Sequence, residues 1–152
     1  MKPGRALIGG MILFSLFGLG DSAYLTWKHV QEASPFCPRG GCNLVLSSHY
    51  AEVWGIPLSL IGALGYGIIL ALSLWAYLAE EPEVRKALSL ALVFSIIGFL
   101  VSLVLVYLQL FVLKSICIFC IASALTMTTI FLLTLFSLRA LPRKVSAETV
   151  KV

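Results

Sequence analysis

Charged side chains are scarce in this sequence, and their scarcity excludes most soluble folds. Asp, Glu, Lys and Arg make up 12% of the 152 residues, whereas hydrophobic residues make up 60% and the mean hydropathy is +1.02. A soluble domain usually carries about a quarter charged residues. The composition therefore predicts a protein that is embedded in membrane lipid.

Several kinds of site are missing as well. The basic residues are dispersed and no aromatic-basic groove is visible, so the net charge of +4 does not indicate a nucleic-acid partner. The two histidines, His29 and His49, lack the spacing of metal ligands. The long apolar runs have few charges or breaks, which argues against a channel or transporter.

Four apolar runs are long enough to cross a bilayer, which requires about 20 residues. They are Ala6–Trp27, Pro57–Leu78, Ala87–Leu113 and Cys117–Leu138. We therefore expect an all-α membrane protein, a four-transmembrane-helix bundle that forms one domain over residues 1–152. On the second run, Ala63, Gly67 and Ala71 recur at every fourth position, a spacing that lets another helix approach closely.

The first loop, Lys28–Ile56, is the longest polar segment. Prolines and glycines around its cysteines predict an irregular, mobile stretch over Ser34–Gly41. Asn43 can cap a short helix that runs to about Trp54 and lies on the membrane surface. We expect this interfacial helix to act as a lid over the bundle.

Lysine and arginine counts predict the orientation of the bundle. With four spans both termini share one side, which holds Lys2, Arg5, Arg85, Lys86, Arg139, Arg143, Lys144 and Lys151. The other side holds Lys28, Arg39 and Lys114. Eight basic residues against three place the termini in the cytoplasm. All four cysteines then face the outer, oxidising compartment.

The cysteines form two closely spaced pairs. Cys37 and Cys42 lie in the first loop. Cys117 and Cys120 open the last helix three residues apart, so their sulfurs can meet on one face. The helix N-terminus, with Lys114 beside it, is expected to lower the pKa of Cys117. Two such pairs at one membrane face can pass electrons by thiol–disulfide exchange.

Two other interpretations of the cysteines stay open. Four cysteines in two pairs are also compatible with a structural zinc site. The pairs can also be purely structural disulfides, although a bridge between Cys117 and Cys120 closes too little chain to stabilise the fold much. A redox relay is the interpretation favoured by the short spacing at a helix N-terminus.

Two polar residues stand out within the apolar runs. Asp21 lies a turn or two inside the first span, where an acid is costly unless it faces protein or water. Gln109, near the outer end of the third span, either binds a polar head group or bridges helices. Both are candidate ligand-binding residues.

The order of these motifs resembles the vitamin K epoxide reductase family in its bacterial or archaeal form. The resemblance extends from Gly18 to about Leu125. It consists of the loop cysteines, Ser47-Ser48, Gly55-Ile56-Pro57-Leu58-Ser59 with Gly62, and Cys117-Ile118-Phe119-Cys120. The disulfide oxidase DsbB has similar chemistry, but its CxxC lies in the first outer loop.

The resemblance implies a role for each cysteine. Cys37 is the expected entry thiol for an extracytoplasmic thioredoxin-fold partner, and Cys42 is the expected shuttle. Cys117 would receive the electrons from Cys42, and Cys120 would act on a quinone. Ser48 matches a serine that is associated with the active site in the family.

The resemblance also limits the acceptor. Ala124 stands where the animal enzymes often have a tyrosine that helps to hold the quinone, so a respiratory quinone of the ubiquinone or menaquinone class is expected rather than vitamin K epoxide. The implied function is a thiol–quinone oxidoreductase that supports disulfide formation outside a prokaryotic cell membrane. Many bacterial members carry a fused thioredoxin domain. The 152-residue sequence contains no such domain, so the partner is expected to be a separate protein.

Overall fold

The computed structural model describes residues 3–31, 41–80 and 82–141. Within them the chain forms α1 (Pro3–Val30), α2 (Gly41–Leu46), α3 (Leu58–Leu78), α4 (Glu83–Tyr107) and α5 (Ile118–Ala140). The four long helices are apolar enough to span a membrane, which confirms the predicted all-α, four-helix membrane fold. The helix ends differ by a few residues, since α1 continues past Trp27 and α4 begins before Ala87.

The long helices form a square bundle in which α1 and α4 each pack against both α3 and α5. One end, here called the packed end, is filled by an apolar cluster from α1, α3 and α4. Its buried members are Ile8, Met11, Ala76, Val84, Ala87, Leu88 and Ala91. The opposite end is formed by the C-terminus of α1, the N-termini of α3 and α5 and the end of α4. It holds the described cysteines and is here called the cysteine end.

Two of the three small residues spaced four apart on α3, Gly67 and Ala71, do not mediate packing within the bundle. Ala71 is exposed, and a Cβ added to Gly67 would meet no atom within 4 Å. The face of α3 that enters the bundle instead presents Tyr66, Ile69, Ser73 and Ala76. The prediction from spacing was wrong because the spacing defines a face without showing whether lipid or protein covers it.

The first loop contains a short helix, but not the one predicted. Helix α2 begins at Gly41 rather than at an Asn43 cap, and it ends at Leu46. The hydroxyls of Ser47 and Ser48 bond back to the carbonyls of Asn43 and Val45, which competes with continuing the helix. The predicted irregular stretch is therefore wrong at Gly41, and residues 34–40 lie outside the described part of the chain.

A 3-10 turn at His49–Ala51 and a β-hairpin replace the rest of the predicted interfacial helix. Strands β1 (Glu52–Val53) and β2 (Ile56–Pro57) pair antiparallel. The two turn residues, Trp54 and Gly55, both have positive φ, as the common two-residue hairpin turn requires. His29 Nε2 lies 3.0 Å from Glu52 Oε1, which ties the hairpin to the end of α1.

Helix α4 ends in a wider turn. Residues Leu108–Val112 are π-helical, and the N–H of Leu113 bonds to the carbonyl of Leu108. The chain then reverses through Lys114, whose φ of 48° is left-handed. Wide turns of this kind are frequent at functional sites, and this one directly precedes Cys117.

Candidate active site

Cys42 and Cys117 are brought to one contact between α2 and the segment before α5. A Cβ added to Gly41 would lie 2.6 Å from the carbonyl oxygen of Ile116. Gly41 therefore allows a backbone approach that a side chain would prevent. Because Gly41 precedes Cys42 and Ile116 precedes Cys117, this approach places the two cysteines at the same junction. Both are fully buried.

The described cysteines are in different redox states. Cys42 is disulfide-bonded, whereas Cys117 and Cys120 are free thiols. Cys37 lies outside the described residues, so its predicted role as the entry thiol stays a prediction. The structure therefore represents a form in which the helix pair is reduced and can donate electrons.

Cys117 occupies the N-cap position of α5. A hydrogen bond from the Cys120 thiol is the largest influence that lowers the pKa of Cys117, and burial opposes it. The backbone N–H groups of Cys120 and Phe119 face the sulfur and lower the pKa further, although the sulfur does not meet strict capping geometry. The pKa of Cys117 falls to about 7. Lys114, which was expected to contribute, is not among the causes.

Gln109 fixes the start of α5 from the end of α4. Its side-chain Oε1 accepts a hydrogen bond from the N–H of Cys117 at 2.9 Å, and its backbone carbonyl accepts one from the N–H of Ser115 at 3.1 Å. Gln109 is almost completely buried. Of the two predicted roles, the structure therefore supports a bridge between helices, while the residue also lines the cavity described next.

A cavity of about 390 Å³ lies at the cysteine end, where residues from the 45–51 part of the first loop line it. That volume lies within the range of small-molecule sites. Its walls are mostly apolar, with contributions from all four long helices. Its polar or chemically reactive lining residues include Asp21, His29, Ser48, Tyr66, Gln109 and Cys120. The three predicted ligand-binding residues, Asp21, Ser48 and Gln109, are thus gathered with Cys120 around one space.

The predicted candidates differ in how they are held. The hydroxyl of Ser48 donates to the carbonyl of Val45 at 2.6 Å. Asp21 has a buried Oδ2 that makes no hydrogen bond. Ala124 also lines the cavity, so its small side chain leaves space where the animal enzymes often have a tyrosine.

Tyr66 is a site residue that sequence reasoning missed. It is buried on α3, and its hydroxyl lies 2.8 Å from the carbonyl of Ser123 and 2.9 Å from the Ser123 hydroxyl. Gly18 makes room for the ring, since a Cβ at this position would clash with the ring of Tyr66. The available signal was a tyrosine in the middle of an apolar run rather than at its end, where aromatic residues form the interfacial belt.

Within residues 3–31, 41–80 and 82–141, no group of three or more His, Cys, Asp or Glu side chains is placed to hold a metal ion. A zinc site would also need Cys42 as a thiolate, and its sulfur is bonded in a disulfide.

Comparison with known proteins agrees with this arrangement. The model of the vitamin K epoxide reductase family matches residues 10–135, which include all four cysteines and every cavity-lining residue named above. The chain belongs to the vitamin K epoxide reductase family. The family predicted from the motifs is thereby confirmed, together with the multi-pass membrane character of the protein. Its bacterial or archaeal form stays a prediction.

A plant protein also shows similarity to this vitamin K epoxide reductase family member. The chain is 51% identical over 55 residues to the "Thiol-disulfide oxidoreductase LTO1" of Arabidopsis thaliana. The match covers 35% of this chain and 15% of the plant protein. Family membership, this similarity and the paired cysteines together support a thiol redox enzyme.

Proposed function

We propose that this protein is a membrane thiol–quinone oxidoreductase. It would oxidise a thioredoxin-fold partner outside the cytoplasm and pass the electrons through two cysteine pairs to a quinone. The single observation that carries the proposal is the approach of Gly41 to Ile116, because it joins the loop cysteine to the helix pair. Cys120 then connects that pair to the cavity.

The first transfer is a thiol–disulfide exchange with the partner. A partner thiolate attacks Cys37 of a Cys37–Cys42 disulfide, and the partner's second thiol resolves the mixed disulfide. The partner leaves oxidised and the loop pair is left as two thiols. Cys37 is assigned this step because it belongs to the cysteine pair outside the apolar runs of the sequence, and the step requires contact with a protein that arrives from solution.

The second transfer runs within the protein. The thiolate of Cys42 attacks Cys117 of a Cys117–Cys120 disulfide and releases Cys120, and Cys37 then resolves the new bond. The loop disulfide is restored and the helix pair is reduced. The observed state, with Cys42 in a disulfide and free thiols at Cys117 and Cys120, has the composition expected after this transfer.

The cavity suits a quinone as the final acceptor. Its apolar walls fit a ring with a lipid tail, and Cys120 and Asp21 give it reactive groups at the cysteine end. A bound quinone of the ubiquinone or menaquinone class would take up two electrons and two protons. The protein's own residues would orient it, exclude water and close the Cys117–Cys120 disulfide.

The orientation and location are part of the same proposal. The basic residues counted on each side support cytoplasmic termini and an outer cysteine end in a prokaryotic cell membrane. In a variant whose native cysteines are replaced, a membrane-impermeant thiol reagent should label Trp54→Cys from outside intact cells, because this hairpin position is exposed at the cysteine end. Labelling only from the cytoplasmic side would contradict the proposed orientation.

Quinone reduction by the purified protein tests the function directly. A reduced thioredoxin-fold donor is mixed with protein and quinone, and each cysteine is replaced in turn by alanine. We expect all four replacements to abolish quinone reduction. With wild-type protein, a donor whose second cysteine has been replaced should accumulate a mixed disulfide with Cys37, because nothing in the donor can resolve it. A donor adduct through Cys120 would overturn the assigned order.

Two outcomes would replace the proposal with an alternative. Stoichiometric zinc in freshly purified protein would favour the metal site. Normal donor oxidation after joint replacement of Cys117 and Cys120 would favour purely structural disulfides. Wild-type protein that oxidises the donor but reduces no quinone would leave a thiol oxidoreductase with a different acceptor.

A further inference from the structure

Asp21 has an unexplained carboxylate oxygen at the candidate site. Its Oδ2 is buried and, within the described part of the chain, has no hydrogen-bond partner. Burying a polar atom without a hydrogen-bond partner costs free energy. The cost is higher for an acidic side chain within a membrane span. Such groups are rare in folded proteins and require an explanation. The neighbourhood of this oxygen provides one.

Asp21 lines the cavity together with Cys120. It is also within electrostatic range of the redox pair, because its charge opposes ionisation of Cys117. On its other side it lines a groove between α1 and α5 that includes Tyr24, Phe119 and Ala122. Asp21 therefore stands at the wall between the cavity and the outer face of the bundle.

The proposed reaction needs a proton that the cysteines do not supply. A Cys117 thiolate, a Cys120 thiol, a quinone and one further proton give the Cys117–Cys120 disulfide and a hydroquinone. The new sulfur–sulfur bond releases two electrons to the quinone, and the Cys120 thiol releases one of the two protons that the hydroquinone requires. The second proton must reach a cavity whose walls are mostly apolar.

We propose that Asp21 is the proton-transfer residue of the quinone half-reaction, donating the second proton to the reduced quinone from the carboxylic acid form. The resulting carboxylate regains a proton from water at the cysteine end before the next turnover. The inference rests on the function proposed above and adds to it the route of one proton. General acids and bases that transfer protons in this way contribute roughly 100-fold or more to rates.

The other titratable groups around the cavity are less suited to this step. They are His29 on α1, Tyr50 in the first loop, Tyr66 on α3 and Cys120 on α5, while the described lining residues of α4 and its π-helical turn include none. His29 is engaged with Glu52 at 3.0 Å, and the Tyr66 hydroxyl is bonded to Ser123. Tyr24 is the titratable residue on the groove side. Asp21 is the one carboxyl group among the described residues that line the cavity.

The two half-reactions separate this inference from the proposed function. Single-turnover transfer from a reduced thioredoxin-fold donor to the helix cysteines is measured without quinone, and reoxidation of the reduced protein is measured with a water-soluble quinone. For Asp21→Asn we expect an unchanged first half-reaction and a second one slowed roughly 100-fold. Asp21→Glu, which keeps an ionisable carboxyl, should restore most of the rate.

Ser15 provides a matched control, because its Oγ is also buried on α1 without a partner but does not line the cavity. Ser15→Ala should leave both half-reactions unchanged. Wild-type quinone reduction should also slow in heavy water and vary with pH, and the pH dependence should be lost in Asp21→Asn.

Three results would contradict the assignment of Asp21. The first is an Asp21→Asn variant that reduces quinone as fast as the wild-type protein does. The second is an equal loss of rate in both half-reactions of this variant. The third is a rate of quinone reduction by the wild-type protein that does not change in heavy water. Failure of the wild-type protein to reduce any quinone would instead refute the function on which the inference rests.

Discussion

The side-chain carbonyl of Gln109 accepts a hydrogen bond from the backbone N–H of Cys117 at 2.9 Å, and both residues are buried. The bond joins the end of α4 to the residue that opens α5. With the second bond from Ser115 to the Gln109 carbonyl, it holds the turn between the helices at two points. Gln109 is therefore a positioning residue for the reactive cysteine.

Replacing Gln109 should affect stability and cysteine chemistry together. Gln109→Leu leaves the buried N–H of Cys117 without an acceptor, which costs about 1–3 kcal/mol of unfolding free energy. We expect a lower thermal midpoint in detergent and slower electron transfer from the loop pair to the helix pair. Ser102→Ala is the control, since Ser102 also lines the cavity from α4 but bonds only within its own helix, to Gly98. Equal behaviour of the two variants would contradict the positioning role.

Replacing Gly41 should separate the two cysteine pairs. In Gly41→Ala the new methyl group meets the backbone carbonyl of Ile116, which cannot rotate away as a side chain could. Displacement of reacting groups by about 1 Å can slow a reaction roughly 100-fold. We expect the rate of electron transfer from Cys42 to Cys117 to fall by about this factor. The rate is measured by rapid-quench sampling followed by quantification of the free thiols.

Gly67→Ala is the matched control for that experiment, because nothing lies within 4 Å of a Cβ at this position. It should transfer electrons at the wild-type rate. A normal rate in Gly41→Ala would show that the approach of α2 to Ile116 is not needed for exchange.

The alkylation of Cys117 should follow a shifted pH profile. Its pKa is lowered from 9.0 to about 7, so the thiolate is the major form above pH 7 and the thiol is the major form below it. Because the thiolate is the nucleophile, the alkylation rate should rise with pH and level off above a midpoint near 7.

The same measurement on Cys120→Ala tests the cause. The hydrogen bond from Cys120 is the largest lowering influence on the pKa of Cys117, so its loss should move the midpoint to higher pH. An unchanged midpoint would assign the shift to the helix N-terminus alone.

Gly18 and Tyr66 should behave as a coupled pair. Gly18→Ala places a methyl group against the Tyr66 ring, and overpacking of a buried side chain costs about 1–3 kcal/mol. Tyr66→Leu alone should also destabilise the protein, because it removes a buried ring and its bond to Ser123. The double variant should be more stable than the sum of the two effects predicts, as measured by unfolding in a double-mutant cycle. Additive effects would mean that the ring escapes the new methyl group.

The four spans could be predicted from the sequence because membrane-spanning helices need long apolar runs and little else. Their ends could not be predicted as well, since local bonds set them. Helix α1 continues to Val30, and α4 starts at Glu83 directly after Pro82. The π-helical turn at Leu108–Val112 left no signal in the apolar pattern, and neither did its bonds to the cysteine segment.

The first loop was less predictable because its structure depends on positive φ at two positions. Gly55 adopts such a conformation readily, but Trp54 does so rarely, and its side chain is almost fully exposed. A helix to about Trp54 was therefore the natural prediction from the apolar residues. The structure has a hairpin instead, tied to α1 through His29 and Glu52.

The candidate site was partly predictable from residue chemistry. Paired cysteines are visible in any sequence, and an acid or amide in an apolar run is unusual enough to notice. That Asp21, Ser48 and Gln109 surround one cavity depends on how each helix is rotated, which the sequence does not state. Tyr66 was missed for the same reason, because only the packing turns it inward.

The apolar cluster at the packed end has a consequence for the energetics of the proposed reaction. It fills the bundle opposite the cysteines, so we expect the cavity to exchange protons only with the aqueous phase at the cysteine end. Protons released by the partner's thiols and protons taken up into hydroquinone then belong to the same compartment. Each turnover would move no net charge across the bilayer, and the membrane voltage would neither drive nor resist it.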